Sequence, residues 1–310
     1  MPYPIEKKLV VGISSNALFD LRKEDELFKK EGLEVYRKYQ VENKAVILEK
    51  GVGFPFIKRF LNINEIYSEE QPMEVVLLSR NSPETGVRIF NSIREYGLNI
   101  TRAAFMSGGS AVNYIPAFNI SLFLAIHEDD VKEALKARLP AGRILQTDVQ
   151  DDESIELRVA FDFDGVVAND EAERVYKERG IKEYHEYENQ HSSVPMEPGP
   201  LGDFFTKISS FQKLETEKKR NDDKYEKILK TAIITARNAP AHERAINTLN
   251  SWGVEVDEMF ILGGIDKSRI LEIMKPHLYF DDQMDNLNTK AVKNTPLVHI
   301  PFGVANEEEK

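Results

Sequence analysis

Two carboxylates, Asp162 and Asp164, follow an apolar segment near the middle of the chain, in the run RVAFDFDGVVANDEAE. Val159, Ala160 and Phe161 predict the end of a buried strand, after which a glycine permits a tight turn. Side chains two residues apart in extended backbone point the same way, so both carboxylates can face one site. Like charges that close repel unless a cation lies between them or one takes a proton. The pair suits Mg²⁺, which prefers oxygen ligands, although Asp and Gly are also ordinary turn residues.

A second acidic pair, Asp281 and Asp282, lies near the end of the chain in HLYFDDQMDN. The residues before it, Leu278 to Phe280, predict another buried strand. Adjacent carboxylates at the end of a buried strand favour a cation, because burial of unpaired charge is costly. We expect this pair to complete the metal site with Asp162 and Asp164.

Two segments between the acidic pairs carry residues suited to binding phosphate. Thr235 ends the apolar run TAIIT, with Arg237 and Asn238 directly after it, and Lys267 follows the strand and glycine loop of FILGGIDK. Hydroxyl and N–H groups at strand ends can bind anions, and a lysine can neutralise them. Taken singly, Thr235 could simply cap the end of its strand, and Lys267 could be an ordinary exposed lysine near a helix start. Taken in order, the four segments predict one site at the carboxyl edge of a parallel sheet.

Length and composition set outer limits. The chain has 310 residues and is 41% hydrophobic, which is enough for two domains with real cores. It contains no cysteine, which fits a reducing compartment, and we expect a cytoplasmic protein. The net charge of −11 argues against a nucleic-acid binder. The apolar runs are far shorter than the roughly 18 residues of a membrane span.

The second half of the sequence resembles the first. A shift of 148 residues places LVVGISSNALF over LRVAFDFDGVV, with Ser14 over Asp162. Further on, a shift of 156 residues places Ser79 over Thr235. We predict an α/β protein of two tandem Rossmann-like units with mainly parallel sheets, residues 1–150 and 151–310, joined by a polar linker within 139–156.

The first unit lacks the residues that could do chemistry in the second. In the same registers, the positions of Asp162, Asp164, Lys267 and Asp281 are occupied by Ser14, Asn16, Ala111 and Ala125. We therefore predict that the first unit is catalytically inactive. Support of the fold, a dimer surface and the binding of a regulatory ligand all remain open as its role.

Residues 168–228 form an insertion between the first two chemical motifs, and we predict a small helical cap that excludes water and selects substrate. Tyr184, Tyr187 and His185 are candidate substrate contacts, because an aromatic ring can stack on a substrate ring. Packing is the alternative for the tyrosines, since Tyr36 and Tyr39 occupy the matching positions of the first unit.

The pattern of an apolar strand followed by DxDGV resembles the first motif of the haloacid-dehalogenase-like phosphatases. More specifically, VAFDFDGVVANDEAERVYKERG, the GPL of MEPGPLG, the TAR of IITARNAP, SWGVEVDE and PHLYFDDQM resemble the cytosolic 5'-nucleotidase I family. The first half is similar through VGISSNALFDL, GFPFIKRFL and GVRIFNSI, so the likeness covers nearly the whole chain. Phe163 stands where the family motif has glycine.

The resemblance implies Mg²⁺-dependent hydrolysis of nucleoside 5'-monophosphates, with AMP typical and IMP or deoxynucleotides as alternatives. It implies Asp162 as the nucleophile that forms an aspartyl-phosphate and Asp164 as the general acid and base. It also implies Mg²⁺ held by Asp162, the backbone carbonyl of Asp164 and one of Asp281 or Asp282. Phosphate oxygens would be bound by the remaining motif residues, Thr235, Lys267 and Arg237.

Two alternatives stay open at this point. One is a phosphatase or phosphotransferase acting on another small metabolite, since the acidic residues say nothing about the leaving group. The other is a ligand-sensing protein, although a pure binder would not need the acidic pairs. Base preference and oligomeric state, including a homo-oligomer, are left open by the sequence.

Overall fold

The computed structural model describes residues 3–147, 149, 151–152 and 154–307. The chain forms two compact units, Met1–Leu139 and Pro140–Lys310. Their division lies at the beginning of the linker predicted at 139–156, of which residues 148, 150 and 153 lie outside the described part. No helix in the described ranges is both long and apolar enough to cross a membrane.

The first unit alternates strands and helices. Its elements are β1 (Leu9–Ser14), α1 (Ser15–Leu18), α2 (Arg22–Glu42), α3 (Phe54–Ile66), β2 (Met73–Ser79), α4 (Gly86–Glu95), β3 (Arg102–Phe105), β4 (Leu122–Ala125) and α5 (Glu128–Lys136). The strands lie in the order β3-β2-β1-β4 and the pairings within that order are parallel. β1, β2 and β4 are buried along their whole length, as expected for parallel strands covered on both faces.

The second unit repeats this alternation. Its elements are β5 (Ala141–Ile144), β6 (Leu157–Phe161), α6 (Glu171–Arg179), α7 (Ile181–Gln190), α8 (Gly202–Asn221), β7 (Leu229–Thr235), α9 (His242–Ser251), β8 (Glu258–Ile261), α10 (Ser268–Met274), β9 (Leu278–Asp281) and β10 (Leu297–His299). The strand order is β5-β10-β9-β6-β7-β8, parallel except for β5 and β10, which run antiparallel. The predicted α/β class with mainly parallel strands is confirmed.

Strand β5 corrects one expectation. The sequence places residues 141–144 in a linker, yet Arg143 and Ile144 pair with His299 and Val298 of β10. The strand is only four residues long. A segment that short carries no readable periodicity, and its partner lies more than 150 positions away in the sequence. Its pairing is therefore decided by tertiary structure.

The two units share their pairing registers. The shifts of 148 and 156 residues that aligned the sequences carry every parallel pair of the first unit except Ser14–Leu78 onto a pair of the second. Corresponding pairs are Leu9–Met73 and Leu157–Leu229, Val11–Leu122 and Val159–Leu278, and Val76–Arg102 and Ala232–Glu258. Gly32 and Gly180 also match, with φ of 80° and 90° in a conformation open to glycine. The tandem duplication stays a prediction, and these registers support it.

Helix α8 belongs to the layer that covers the second sheet. Its Phe205 ring lies 5.0 Å from the ring of Phe161 on β6, and Phe161 stacks on Phe280 of β9 at the same distance. Phe204 is also fully buried beside Phe161. Within the predicted cap of 168–228, α8 thus supports the sheet, and α6 and α7 contact one another as a helical pair.

Candidate active site

Three neighbouring parallel strands of the second unit end at the same edge of their sheet. Asp162 follows β6, Asp281 ends β9, and Thr235 ends β7 on the other side of β6. Carboxylate oxygens of Asp162, Asp281 and Asp282 lie within 4.8 Å of one another, and all three residues are buried. The structure therefore brings together acidic residues that are more than 110 positions apart in the sequence.

Asp281 is held in place by hydrogen bonds. Its Oδ2 accepts from Nζ of Lys267 at 2.8 Å and from the hydroxyl of Tyr279. Its Oδ1 accepts from the N–H of Gln283 at 2.9 Å and from Nδ2 of Asn286 at 3.1 Å. Both oxygens are thus engaged, so Asp281 acts as a fixed anionic support for the lysine.

Lys267 lies between Asp162 and Asp281, which belong to different acidic pairs of the sequence. Its Nζ lies 3.0 Å from Oδ1 of Asp162 as well as 2.8 Å from Asp281. Burial works against the ammonium charge, but Asp162 and Asp281 outweigh it and raise the pKa of Lys267 above its ordinary value. The lysine is therefore charged throughout the physiological pH range, as a group that neutralises phosphate must be.

Asp282 has the opposite character to Asp281. Both of its carboxylate oxygens are buried without a hydrogen-bond partner among the described residues. Burial and the neighbouring charges of Asp162 and Asp281 raise the pKa of Asp282 to about 10. Burial, and then the charge of Asp281 against the opposing effect of Lys267, raises the pKa of Asp162 to about 8. Buried carboxylates without partners are costly, so this site fits a hard divalent cation bound by oxygen ligands.

The absence of a side chain at Gly165 leaves room for the carboxylate of Asp282. The φ of Gly165 is +72°, and a Cβ added here would overlap the carboxylate of Asp282. We expect Gly165→Ala to lower the free energy of unfolding by about 2 kcal/mol or more, through left-handed strain and the displaced carboxylate. Gly97→Ala is the control, because its φ is +65° with nothing within 4 Å of the added Cβ. Chemical denaturation compares the two, and equal losses would exclude the contact with Asp282.

Asp164 lies outside the acidic triad and pairs with Arg237. Nε of Arg237 donates to Oδ2 and Nη2 donates to Oδ1, both at 2.7 Å, in a two-pronged ion pair. The guanidinium carbon lies 5.2 Å from the centre of the Phe163 ring. Phe163, where the resembling family has glycine, therefore provides a ring face for this arginine. Arg237, expected from sequence to touch phosphate, is bound to the second aspartate of the motif.

A buried network continues from Arg237 into the cap helices. Nη1 of Arg237 donates to Oε2 of Glu188 on α7, and Nη1 of Arg244 on α9 donates to Oε1 of the same carboxylate at 2.9 Å. Arg244 also donates to Glu171 on α6 at 3.1 Å. Glu188 is fully buried. The sequence does not predict this role, because a glutamate in a charged helix is usually exposed to solvent. The available signal was its position four residues after Tyr184, which places both on the same helix face.

We expect Glu188→Gln to destabilise the second unit by about 3 to 5 kcal/mol, because it leaves two buried arginines with one charged partner fewer. The matched control is Glu186→Gln on the same helix, whose pair with Lys182 is exposed at 4.0 Å and should contribute less than about 1 kcal/mol. Thermal unfolding of both variants is the measurement. A Glu188 variant as stable as the Glu186 variant would contradict the role of the network.

Glu173 on α6 is a second residue that sequence reasoning missed. Its Oε1 accepts from Nε2 of Gln283 at 2.9 Å, and its Oε2 is buried without a partner among the described residues. Burial and then the charge of Asp164 raise the pKa of Glu173 to about 7. The acidic cluster is therefore wider than the two predicted pairs.

The remaining predicted residues lie in three settings. Thr235 is buried and its Oγ1 accepts the N–H of Arg237 at 3.2 Å, which caps the loop after β7. Nε2 of His185 lies 2.8 Å from Oδ1 of Asn238, so these two link the cap to the same loop. The hydroxyl of Tyr187 donates to Glu171, and the ring of buried Tyr184 meets the ring of Tyr176 edge-on. Both tyrosines are thus engaged in packing within the cap.

Comparison with known proteins agrees with this geometry. A model of the 5'-nucleotidase family matches residues 1–307. Human cytosolic 5'-nucleotidase 1B is 34% identical over 297 residues, which is 91% of this chain and 47% of the human protein. The chain thus spans about half the length of that relative. No solved structure matches the chain.

Proposed function

Because the chain belongs to the 5'-nucleotidase family, we propose that it hydrolyses nucleoside 5'-monophosphates in a Mg²⁺-dependent reaction. The observation that carries the proposal is the pair of orphaned, buried Asp282 oxygens beside Asp162. AMP is the first substrate to test, with IMP and deoxynucleotides next. We also propose a cytosolic location, because the human relative is named a cytosolic 5'-nucleotidase.

Asp162 is the nucleophile. Its Oδ1 accepts the N–H of Phe163 at 2.7 Å and lies 3.0 Å from Nζ of Lys267, which leaves Oδ2 for attack on phosphorus. A bond forms from Oδ2 to phosphorus while the bond to the 5'-oxygen of the nucleoside breaks. Lys267 and Thr235 hold the phosphoryl oxygens during this transfer.

Asp164 moves the protons. It donates a proton to the departing 5'-oxygen and then takes one from the water that breaks the aspartyl-phosphate. Arg237 donates two hydrogen bonds to Asp164, which orients the carboxylate for both steps. In the first step Asp164 carries the proton that it donates, so one of its two hydrogen bonds from Arg237 must break at that stage.

The proposed metal ligands are Asp162, Asp282 and the backbone carbonyl of Asp164, with Asp281 as the residue that positions Lys267. Bound there, Mg²⁺ supplies positive charge that stabilises the transferring phosphoryl group. Helices α6 and α7 are the proposed cap, and the contact of His185 with Asn238 at 2.8 Å links this cap to the loop after β7. The first unit is proposed to be non-catalytic, since Ser14 and Asn16 replace both aspartates.

The test is release of inorganic phosphate from AMP, IMP, CMP and dAMP, with glucose 6-phosphate as a non-nucleotide control, in Mg²⁺ and after removal of the metal by EDTA. We expect turnover of nucleotides that disappears with EDTA and returns with Mg²⁺. Turnover of the sugar phosphate in preference to every nucleotide would overturn the substrate class and keep the phosphatase chemistry.

A further inference from the structure

The first unit contains a cavity of about 510 Å³ at the carboxyl ends of its strands. This volume lies in the range of small-molecule sites. Ser14 and Asn16 after β1 line it, as do Asn81 after β2 and His127 after β4. In the shared registers, Ser14 and Asn16 occupy the positions of the two catalytic aspartates. The cavity is therefore the first unit's counterpart of the candidate active site.

The floor of this cavity is a network of hydroxyl, amide and imidazole groups. The hydroxyl of Ser14 donates to Oδ1 of Asn16 at 2.7 Å, and Nδ2 of Asn16 lies 3.1 Å from Nε2 of His127. Asn81 accepts from the hydroxyl of Tyr36 at 3.0 Å. Hydroxyl and amide groups of this kind exchange hydrogen bonds with uncharged ligand groups such as hydroxyls and ring nitrogens.

The walls are apolar and partly open. Phe28 and Leu33 line the cavity and are 47% and 46% exposed, and the Phe28 ring meets Tyr36 edge-on at 5.7 Å. Phe123 closes the inner side and is 2% exposed. A flat ring entering between Phe28 and Leu33 would cover apolar surface that now faces water. The walls therefore fit an aromatic heterocycle.

The charges argue against a phosphate at the floor. The position of Lys267 is taken by Ala111, and Arg80 is tied to Asp130 in a two-pronged pair with Nε–Oδ distances of 3.0 and 3.1 Å. Lys29 lines the cavity from α2 and is exposed to water. Arg37 also lines the cavity, and its Nη1 lies 3.5 Å from Oε1 of Glu34. A phosphate dianion on this floor would therefore meet two arginines that carboxylates already neutralise, and the loss of its water would be costly.

Asp25 adds an acceptor. It lines the cavity from α2, and burial raises the pKa of its carboxyl against the opposing charge of His127. A carboxylate in this position accepts hydrogen bonds from a sugar diol or an amino group and repels an anion. From the polar floor, the apolar walls that fit a flat ring, and this acceptor together, we infer that the first unit binds an uncharged heterocycle bearing hydroxyl groups, of the nucleoside class, at a site separate from the active site.

The experiment is calorimetric titration of the full chain with adenosine, and with AMP and inorganic phosphate as charged probes, all in EDTA. We expect adenosine to bind, with affinity lowered about tenfold or more by Phe28→Ala and by Asp25→Asn, which corresponds to about 1.4 kcal/mol each. Val41→Ala is the matched control, since Val41 is 52% exposed on the same helix and does not line the cavity. It should leave the affinity unchanged.

The two cavity variants distinguish adenosine bound in the first unit from adenosine bound at the active site. Adenosine affinity that is insensitive to both Phe28→Ala and Asp25→Asn would place the nucleoside elsewhere and overturn the inference. So would AMP binding that is tighter than adenosine binding and weakened by Lys29→Ala, because it would identify a site for anions. Thermal unfolding of each variant confirms that the exposed substitutions leave the fold intact. These binding measurements do not depend on catalysis. If the wild-type protein hydrolysed no nucleotide, the proposed function would fail, and the test of the nucleoside site would still stand.

Discussion

Asp162→Asn is expected to lower turnover of nucleoside monophosphates by more than about 10⁴-fold while the chain stays folded. The amide keeps an acceptor for the N–H of Phe163, which now donates to Oδ1 at 2.7 Å. It cannot form an acyl phosphate, because an amide oxygen is a poor nucleophile. Lys267 keeps Asp281 as its ion-pair partner at 2.8 Å, so the variant should remain folded without metal.

Phosphate release at saturating substrate measures the effect, and acid-quenched wild-type protein should carry covalently bound phosphate that the variant lacks. Ser14→Ala is the control, since Ser14 takes the place of Asp162 in the first unit. It should retain full turnover. Persistent activity in Asp162→Asn, or loss of activity in Ser14→Ala, would show that the reaction takes place elsewhere.

Metal-free protein is expected to lose stability as the pH rises from about 5 to about 9. The pKa of Asp162 is raised to about 8 and that of Asp282 to about 10, whereas unfolded aspartates titrate near about 4. Between these values the folded state holds more protons than the unfolded state. The free energy of unfolding therefore falls by up to about 1.4 kcal/mol per pH unit for each excess proton. Mg²⁺ should reverse this dependence, because it binds the charged form.

Denaturant unfolding in EDTA and in Mg²⁺ at several pH values is the measurement. Asp282→Asn removes the carboxylate whose two buried oxygens have no hydrogen-bond partner among the described residues. It should therefore flatten the pH dependence of the unfolding free energy in the metal-free protein and abolish the stabilisation by Mg²⁺. Asp285→Asn, at an exposed position three residues later, should change neither. A metal-free protein whose stability is independent of pH, or rises with it, would contradict the proposed cation site.

The distinction between Asp281 and Asp282 needed the tertiary structure. The sequence offered two adjacent aspartates after a strand, with no difference between them. Folding places Lys267, Tyr279 and Asn286 around Asp281 and none of them on the oxygens of Asp282. Adjacent side chains at a strand end point to different sides, and the partners on each side come from distant segments.

The role of Arg237 shows the same limit. Its place after the strand-end threonine suggested a phosphate contact, and the sequence has no feature that reports its two carboxylate partners. Asp164 lies 73 residues away and Glu188 lies 49 residues away along the chain. Charge pairing at such separation depends on which loops and helices fold onto one sheet edge, so only the structure gives this network.

What the amino-acid sequence determined by itself is the alternation of apolar strands and amphipathic helices, and the placement of acidic and cationic residues at strand ends. Those follow from local periodicity and burial, which each segment carries within itself. The tertiary structure decided which carboxylate keeps open oxygens, which arginine holds Asp164, and that the first unit keeps a cavity where its chemistry is missing. These depend on contacts between segments far apart in the chain, whose energies no single segment contains.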